Sequence, residues 1–187
     1  MKIAFWATVA GQIILLVAFI AVKENTLRTG TSVVLQTVPV DPLSLLQGEY
    51  VNLRYEISEI PGDLHPVVRP GEQFYVQLLE DSDGVWRGIQ YGQQKPGPDR
   101  VFMRGTVGER SQLEFGINTY FIPEGTGRII EQSADVKVRV AVSSGGTAVI
   151  EELLLNGEPF DPATIPVVPR DREPPPIPPG GQPVPKP

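Results

Sequence analysis

The sequence predicts a mainly β protein: an antiparallel β sandwich or barrel-like domain, preceded by one N-terminal transmembrane helix and followed by a disordered proline-rich tail. Three observations predict it. An uncharged apolar run fills Ile3 to Val22, short alternating or β-branched segments punctuated by Gly, Pro and Asp come after it, and eleven of the 20 prolines lie beyond Phe160. The expected divisions are an anchor over 1–23, a β domain over 24–160 and a tail over 161–187, which leaves enough chain for one hydrophobic core.

The apolar run reads IAFWATVAGQIILLVAFIAV, with Gln12 as its one strongly polar side chain. At about 1.5 Å of rise per residue a helix of this length spans the ~30 Å hydrocarbon core. A signal peptide shares the cation at Lys2, but Phe19, Ile20, Ala21 and Val22 offer no cleavage site of small residues, so an uncleaved single-pass anchor in the cell (inner) membrane is expected. Lys2 before the run and Lys23 and Arg28 after it nearly balance the positive-inside bias. The very short N-terminal stub favours N-in, which puts the domain outside the cytoplasm.

Beyond the anchor, Ser32 to Val38 reads as a strand that Pro39 ends, and the Asp41-Pro42 step excludes helix. In Tyr50 to Ile57, Val51, Leu53, Tyr55 and Ile57 alternate with Tyr50, Asn52, Arg54 and Glu56, which predicts one strand with a single core face. Gln73 to Glu80 and Val85 to Tyr91 form a predicted hairpin across Asp81-Ser82-Asp83-Gly84, and Gly92 to Asp99 a loop. A second hairpin joins Arg100 to Val107 with Gln112 to Ile117; a third joins Asp135 to Val142, its valines inward and Ala141 outward, with Thr147 to Leu155. Glu124 to Ser133, opened by Pro123, is the one place for a short helix. The tail suits a solvated polyproline spacer or, more sharply, a docking peptide.

Composition excludes much chemistry. The formal charge is −6, so no basic field favours nucleic acid; cysteine is absent and His65 is the single imidazole, which leaves thiolate sites and histidine triads without residues. Asp81-Ser82-Asp83-Gly84 has the opening of a calcium loop but lacks a third ligand and a distant Glu, so a plain turn is expected, and no metal or cofactor is called for. Tyr120 to Arg128 gathers aromatics, Glu124, Arg128 and two glycines in one loop: Arg128 would clamp an anion that Glu124 orients, or the same residues simply start a helix. For a hydrolase, Ser44 as nucleophile and Lys95 as base are the one serine–lysine pair that can be drawn, and Lys95 lies among polar neighbours unsuited to depressing its pKa. Trp86, Tyr91 and Tyr120 are the aromatics a carbohydrate module would use.

Gly48-Glu49-Tyr50-Val51-Asn52-Leu53-Arg54-Tyr55 resembles the pattern that names the GDYXXLXY family of membrane-anchored proteins, with Glu49 where that name has Asp. The resemblance continues through Pro39 to Pro42, Gly116, Tyr120 to Gly125 and Glu131. It implies a membrane tether and an exposed domain, often encoded beside a multi-span membrane protein, with no catalytic residues to carry over. The motif residues Asp41, Gly48, Glu49, Tyr50, Leu53, Tyr55, Tyr120, Glu124, Arg128 and Glu131 are therefore the candidate site. Much of the pattern is also what a turn entering a core strand requires. The functional expectation is a non-enzymatic, membrane-anchored interaction module acting with a multi-span membrane protein. A tethered serine–lysine hydrolase and a cell-wall carbohydrate-binding module are the alternatives.

Overall fold

A computed structural model describes residues 2–38, 50–62, 64, 68–108, 111–123, 126, 129–130, 133 and 135–161. Its first element, α1 (Lys2–Thr29), is one unbroken helix, since the segment holds no proline and one glycine, Gly11. The hydroxyls of Thr8, Thr26 and Thr29 donate to carbonyls four residues back, at 3.0, 3.1 and 2.8 Å, and so cost the helix no backbone bond. The helix is long and apolar enough to cross a membrane, its most apolar 18-residue window having mean hydropathy 2.3.

Gly30 ends the helix and lets the first strand start directly after it. A Cβ there would lie 2.5 Å from the Thr26 carbonyl oxygen and 3.0 Å from that of Val142, so only glycine allows β1 (Thr31–Gln36) to begin at once, without a linker. β1 pairs antiparallel with β8 (Val136–Val142), β8 with β9 (Ala148–Leu155), and β9 with the two-residue β10 (Glu158–Pro159). A second sheet has the order β4 (Trp86–Gly92), β3 (Gln73–Glu80), β5 (Phe102–Val107), β6 (Leu113–Glu114). β2 (Tyr50–Asn52) and β7 (Thr119–Phe121) make a third, two-stranded one.

The sheets enclose one core of Val33, Leu35, Val51, Tyr55, Val76, Met103, Val138, Val140 and Leu153, each no more than 1 % exposed. No barrel closes. The sheets meet instead at a docked turn. β6 covers only the Thr106 and Val107 end of β5, and the tip of the β8–β9 hairpin uses the edge left over: Arg104 N–H donates to the Gly146 carbonyl at 2.8 Å. The fold is thus mainly antiparallel β and sandwich-like, as the alternating segments predict.

Two sequence expectations need correction. The strand predicted over Tyr50 to Ile57 stops at Asn52, although Val51, Leu53, Tyr55 and Ile57 are all buried as the alternation requires. The backbone changes partners: Leu53 N–H donates to Asn118 O at 2.6 Å, the Arg54 carbonyl then accepts from Val38 N–H at 2.8 Å, and a 3-10 turn comes next at Glu56–Ser58. Ala141, expected outward, is fully buried. The last turns of α1, where Thr26 is 4 % exposed and Lys23 half-buried, pack against β8 and β9 and cover the face on which Ala141 lies. The proline-rich tail lies outside the described residues, as does most of the short helix expected over 124–133, where Thr126 N–H to Pro123 O and Ile129 N–H to Thr126 O record turns.

Candidate functional site

Of the ten motif residues, Asp41, Gly48, Glu49, Glu124, Arg128 and Glu131 lie outside the described residues; Tyr50, Leu53, Tyr55 and Tyr120 can be placed. Leu53 is 4 % exposed in the core, and its carbonyl accepts from the Asn118 amide at 3.3 Å. Tyr55 is fully buried and its hydroxyl donates to the Ile117 carbonyl at 2.7 Å, while burial pushes its pKa far above that of free tyrosine. Tyr50 stands opposite Phe121, the rings edge-to-face at 6.2 Å, and Tyr120 stands opposite Val51, half-buried against the core. Burial and then the charge of Glu152 raise the Tyr120 pKa. The visible part of the motif therefore pins β2 to β7 and fills the core.

The other candidates resolve along similar lines. Asp81 to Gly84 is a tight turn: Gly84 has φ of 77°, and Gly84 N–H donates to Asp81 O at 3.0 Å. Arg87 reaches Asp81, Asp83 and Glu56 at 3.0, 2.7 and 3.1 Å, so these carboxylates face a guanidinium rather than a cation site. Hydrogen bonds from Ser82 N–H and Arg87 hold the Asp81 carboxyl below the usual range. No group of three metal-ligating side chains occurs among the described residues. Trp86 and Tyr91 pack against the core, and the Tyr91 hydroxyl lies over Gly88, where an added Cβ would meet it at 2.4 Å; they form no free aromatic platform. Burial, then Glu59 and Glu56, push the Tyr91 pKa up. Ser44 lies outside the described residues, and Lys95 is exposed, its ammonium 5.6 Å from the Phe102 ring centre.

The described surface does contain a groove that the motif does not point to. About 690 Å³ in volume, it is bounded by β3, β4 and the loop after Gly92. On β3 the side chains of Phe74, Val76 and Leu78 go inward, which turns Tyr75 and Gln77 outward, opposite Gly92 and Gln90 on β4. Adding a Cβ to Gly92 would meet nothing within 4 Å, so the space beside Tyr75 is open. Tyr75 itself rests edge-to-face on Phe102 at 5.8 Å. Gln93 donates to Glu72 at 2.9 Å, and Lys95, Asp99 and Arg100 complete the rim. Leu64, Val68, Phe74 and Pro96 line it as well, so the wall is apolar over part of its area, with amides, one phenol and mixed charges around it; it suits an extended amphipathic ligand and contains no nucleophile–base pair among the described residues. The outward glutamines at Gln77 and Gln90 are the signal the sequence holds for it, but amides on an exposed strand face are ordinary and so do not stand out.

No curated protein and no solved structure matches this chain. The family model of the GDYXXLXY protein matches residues 12–153, from the middle of α1 to the inner part of β9, and the chain belongs to the GDYXXLXY family.

Proposed function

We propose that the protein is a membrane-anchored, extracytoplasmic interaction module that works with a multi-span membrane protein. The observation that carries this reading is the junction at Gly30: an exposed apolar helix of transmembrane length leads without a linker into a β domain packed on its last turns. A tether of this kind confines the domain to the membrane surface and raises its effective concentration at any neighbour in the same bilayer. The groove beside β3 and β4 offers that neighbour a contact of mixed character, apolar at Leu64, Val68 and Phe74 and hydrogen-bonding at Gln77 and Gln90.

The test is crosslinking in native membranes followed by purification through the full chain. One membrane protein recovered in stoichiometric amount is the expected result; recovery of none, or release of the chain by alkaline carbonate, overturns the reading. A second reading, a cell-wall carbohydrate module, is favoured by the groove alone, where Gln77 and Gln90 amides flank Tyr75 as sugar hydroxyls and a ring face would require. Retention on insoluble wall material that Gln77→Ala and Gln90→Ala abolish together would establish it, and no retention would end it.

A further inference from the structure

The middle of the apolar stretch carries one amide side chain, Gln12, that neither the helix nor the β domain uses. Gln12 lies midway along the uncharged stretch Ile3–Val22, is exposed, and its amide makes no hydrogen bond among the described residues. Thr8 and Thr26, by contrast, satisfy their hydroxyls within the helix. In hydrocarbon an unpaired amide is strongly disfavoured, so a glutamine at mid-span calls for a partner there.

The direction in which Gln12 points is set by how the domain is mounted. α1 is continuous, Thr26 is buried, Lys23 is half-buried, and Gly30 is held between the Thr26 carbonyl and the backbone of Val142, where a Cβ would lie 2.5 and 3.0 Å from their oxygens, so helix and domain share a fixed azimuth. At about 100° per residue, Thr8 lies about five full turns below Thr26 and in line with it. Gln12 falls within about 40° of that line, whereas Trp6, Ile13 and Val17 fall about 140–180° away. The face bearing Gln12 is thus continuous with the face on which the domain is seated.

Resting on the proposed partnership, we infer that the Thr8 and Gln12 face of α1 receives a transmembrane helix of the multi-span partner, which lies beneath the domain and hydrogen-bonds the Gln12 amide. A second copy of this chain does not fit the same face. Packed helix axes are about 8–10 Å apart, and a domain of this size is about 35 Å across, so a two-fold pair would bring both domains over one point. A helix ending in a short loop brings no such obstacle and lets the domain cap it.

The experiment places photoreactive benzoyl-phenylalanine at Thr8, Gln12, Trp6 or Val17 of the full chain in native membranes. Adducts with one other polypeptide from Thr8 and Gln12, and lipid adducts alone from Trp6 and Val17, are expected. Gln12→Leu should lower recovery of that polypeptide about 3- to 10-fold with carbonate-resistant retention unchanged, and Gln12→Asn should keep most of it. Polypeptide adducts from Trp6 and Val17 instead would overturn the assigned face while leaving the partnership standing. Adducts of twice the chain's mass, or lipid adducts at all four positions, would overturn the docked helix. Release of the unmodified chain by carbonate would overturn the anchor beneath both proposals.

Discussion

Replacing Tyr55 by phenylalanine removes one oxygen and tests the central packing claim. The hydroxyl donates to the Ile117 carbonyl at 2.7 Å in a site where Tyr55 is fully buried and Ile117 is 4 % exposed, so no water replaces it. Stranding that carbonyl costs about 1–2 kcal/mol at neutral pH. The same burial raises the Tyr55 pKa in the folded chain, while the unfolded chain loses the proton near pH 10. A raised folded pKa gives stability that is complete below pH 10 and drains as pH rises toward the folded value. One unit above the unfolded pKa the loss is about 1.4 kcal/mol, and Tyr55→Phe cannot suffer it. Wild type and variant should therefore differ by about 1–2 kcal/mol at pH 8 and converge near pH 11. Tyr91 and Tyr120, also raised by burial, are common to both proteins and cancel. Urea unfolding of the full chain in non-ionic micelles, followed by Trp86 fluorescence with Trp6→Phe in both proteins, reads the gap. A gap constant from pH 8 to 11 would refute the reasoning, since Tyr55 would then titrate alike folded and unfolded.

Three further outcomes are expected. Gly146→Ala should destabilise by about 2 kcal/mol or more, because φ is 81° and the new Cβ would lie 2.7 Å from the Phe102 ring; a neutral result by urea titration would show that the β8–β9 tip is not seated on β5. Asp135, whose carboxyl is held low by Lys137 and then Gln36, gives stability present above the unfolded carboxylate pKa and lost as pH falls. Thermal midpoints of wild type should therefore fall more between pH 6 and 3 than those of Asp135→Asn, and parallel curves would count against the pairing. Ala141→Glu sets a carboxylate under the last turns of α1 and should loosen them, read as faster tryptic cleavage at Lys23 and Arg28; an unchanged rate would mean that α1 is not seated there.

What can be read from the residues and what cannot divides on a physical line. Strands whose two faces differ in polarity announce themselves: the predicted bounds of Gln73–Glu80 match to the residue, and the valines of β8 lie on the core side as spaced. Periodicity of side chains is not periodicity of backbone pairing. Val51, Leu53, Tyr55 and Ile57 keep the burial rhythm of a strand while the backbone leaves β7 for a single bridge to Thr37 and then a 3-10 turn. The short pairings at β2 and β7 are set by contacts distant in sequence, so Thr119–Phe121 reads locally as loop. The candidate site is less legible for a related reason. A named motif draws attention to Tyr50, Leu53 and Tyr55, and these prove to hold β2 and the core in place, whereas the groove is built of Gln77, Gln90 and Gly92, residues whose common property appears only when β3 and β4 are paired.

The mount of the helix is the clearest case of a feature hidden from local patterning. Ala141 breaks no rule as an outward alanine, Thr26 none as a polar residue past a membrane span, and Gly30 none as a helix terminator. Together they mean something different: a small residue on the sheet, a small hydroxyl on the helix that hydrogen-bonds its own backbone, and a glycine where a Cβ would strike the Thr26 carbonyl and crowd Val142 are what a close helix-on-sheet contact requires. Because that contact leaves no linker, the bearing of every residue on α1 relative to the β domain is determined by the domain's own packing. A flexible connection after Val22 would have allowed Gln12 to face anywhere; the seated helix end turns a lone amide in an apolar stretch into a directed one.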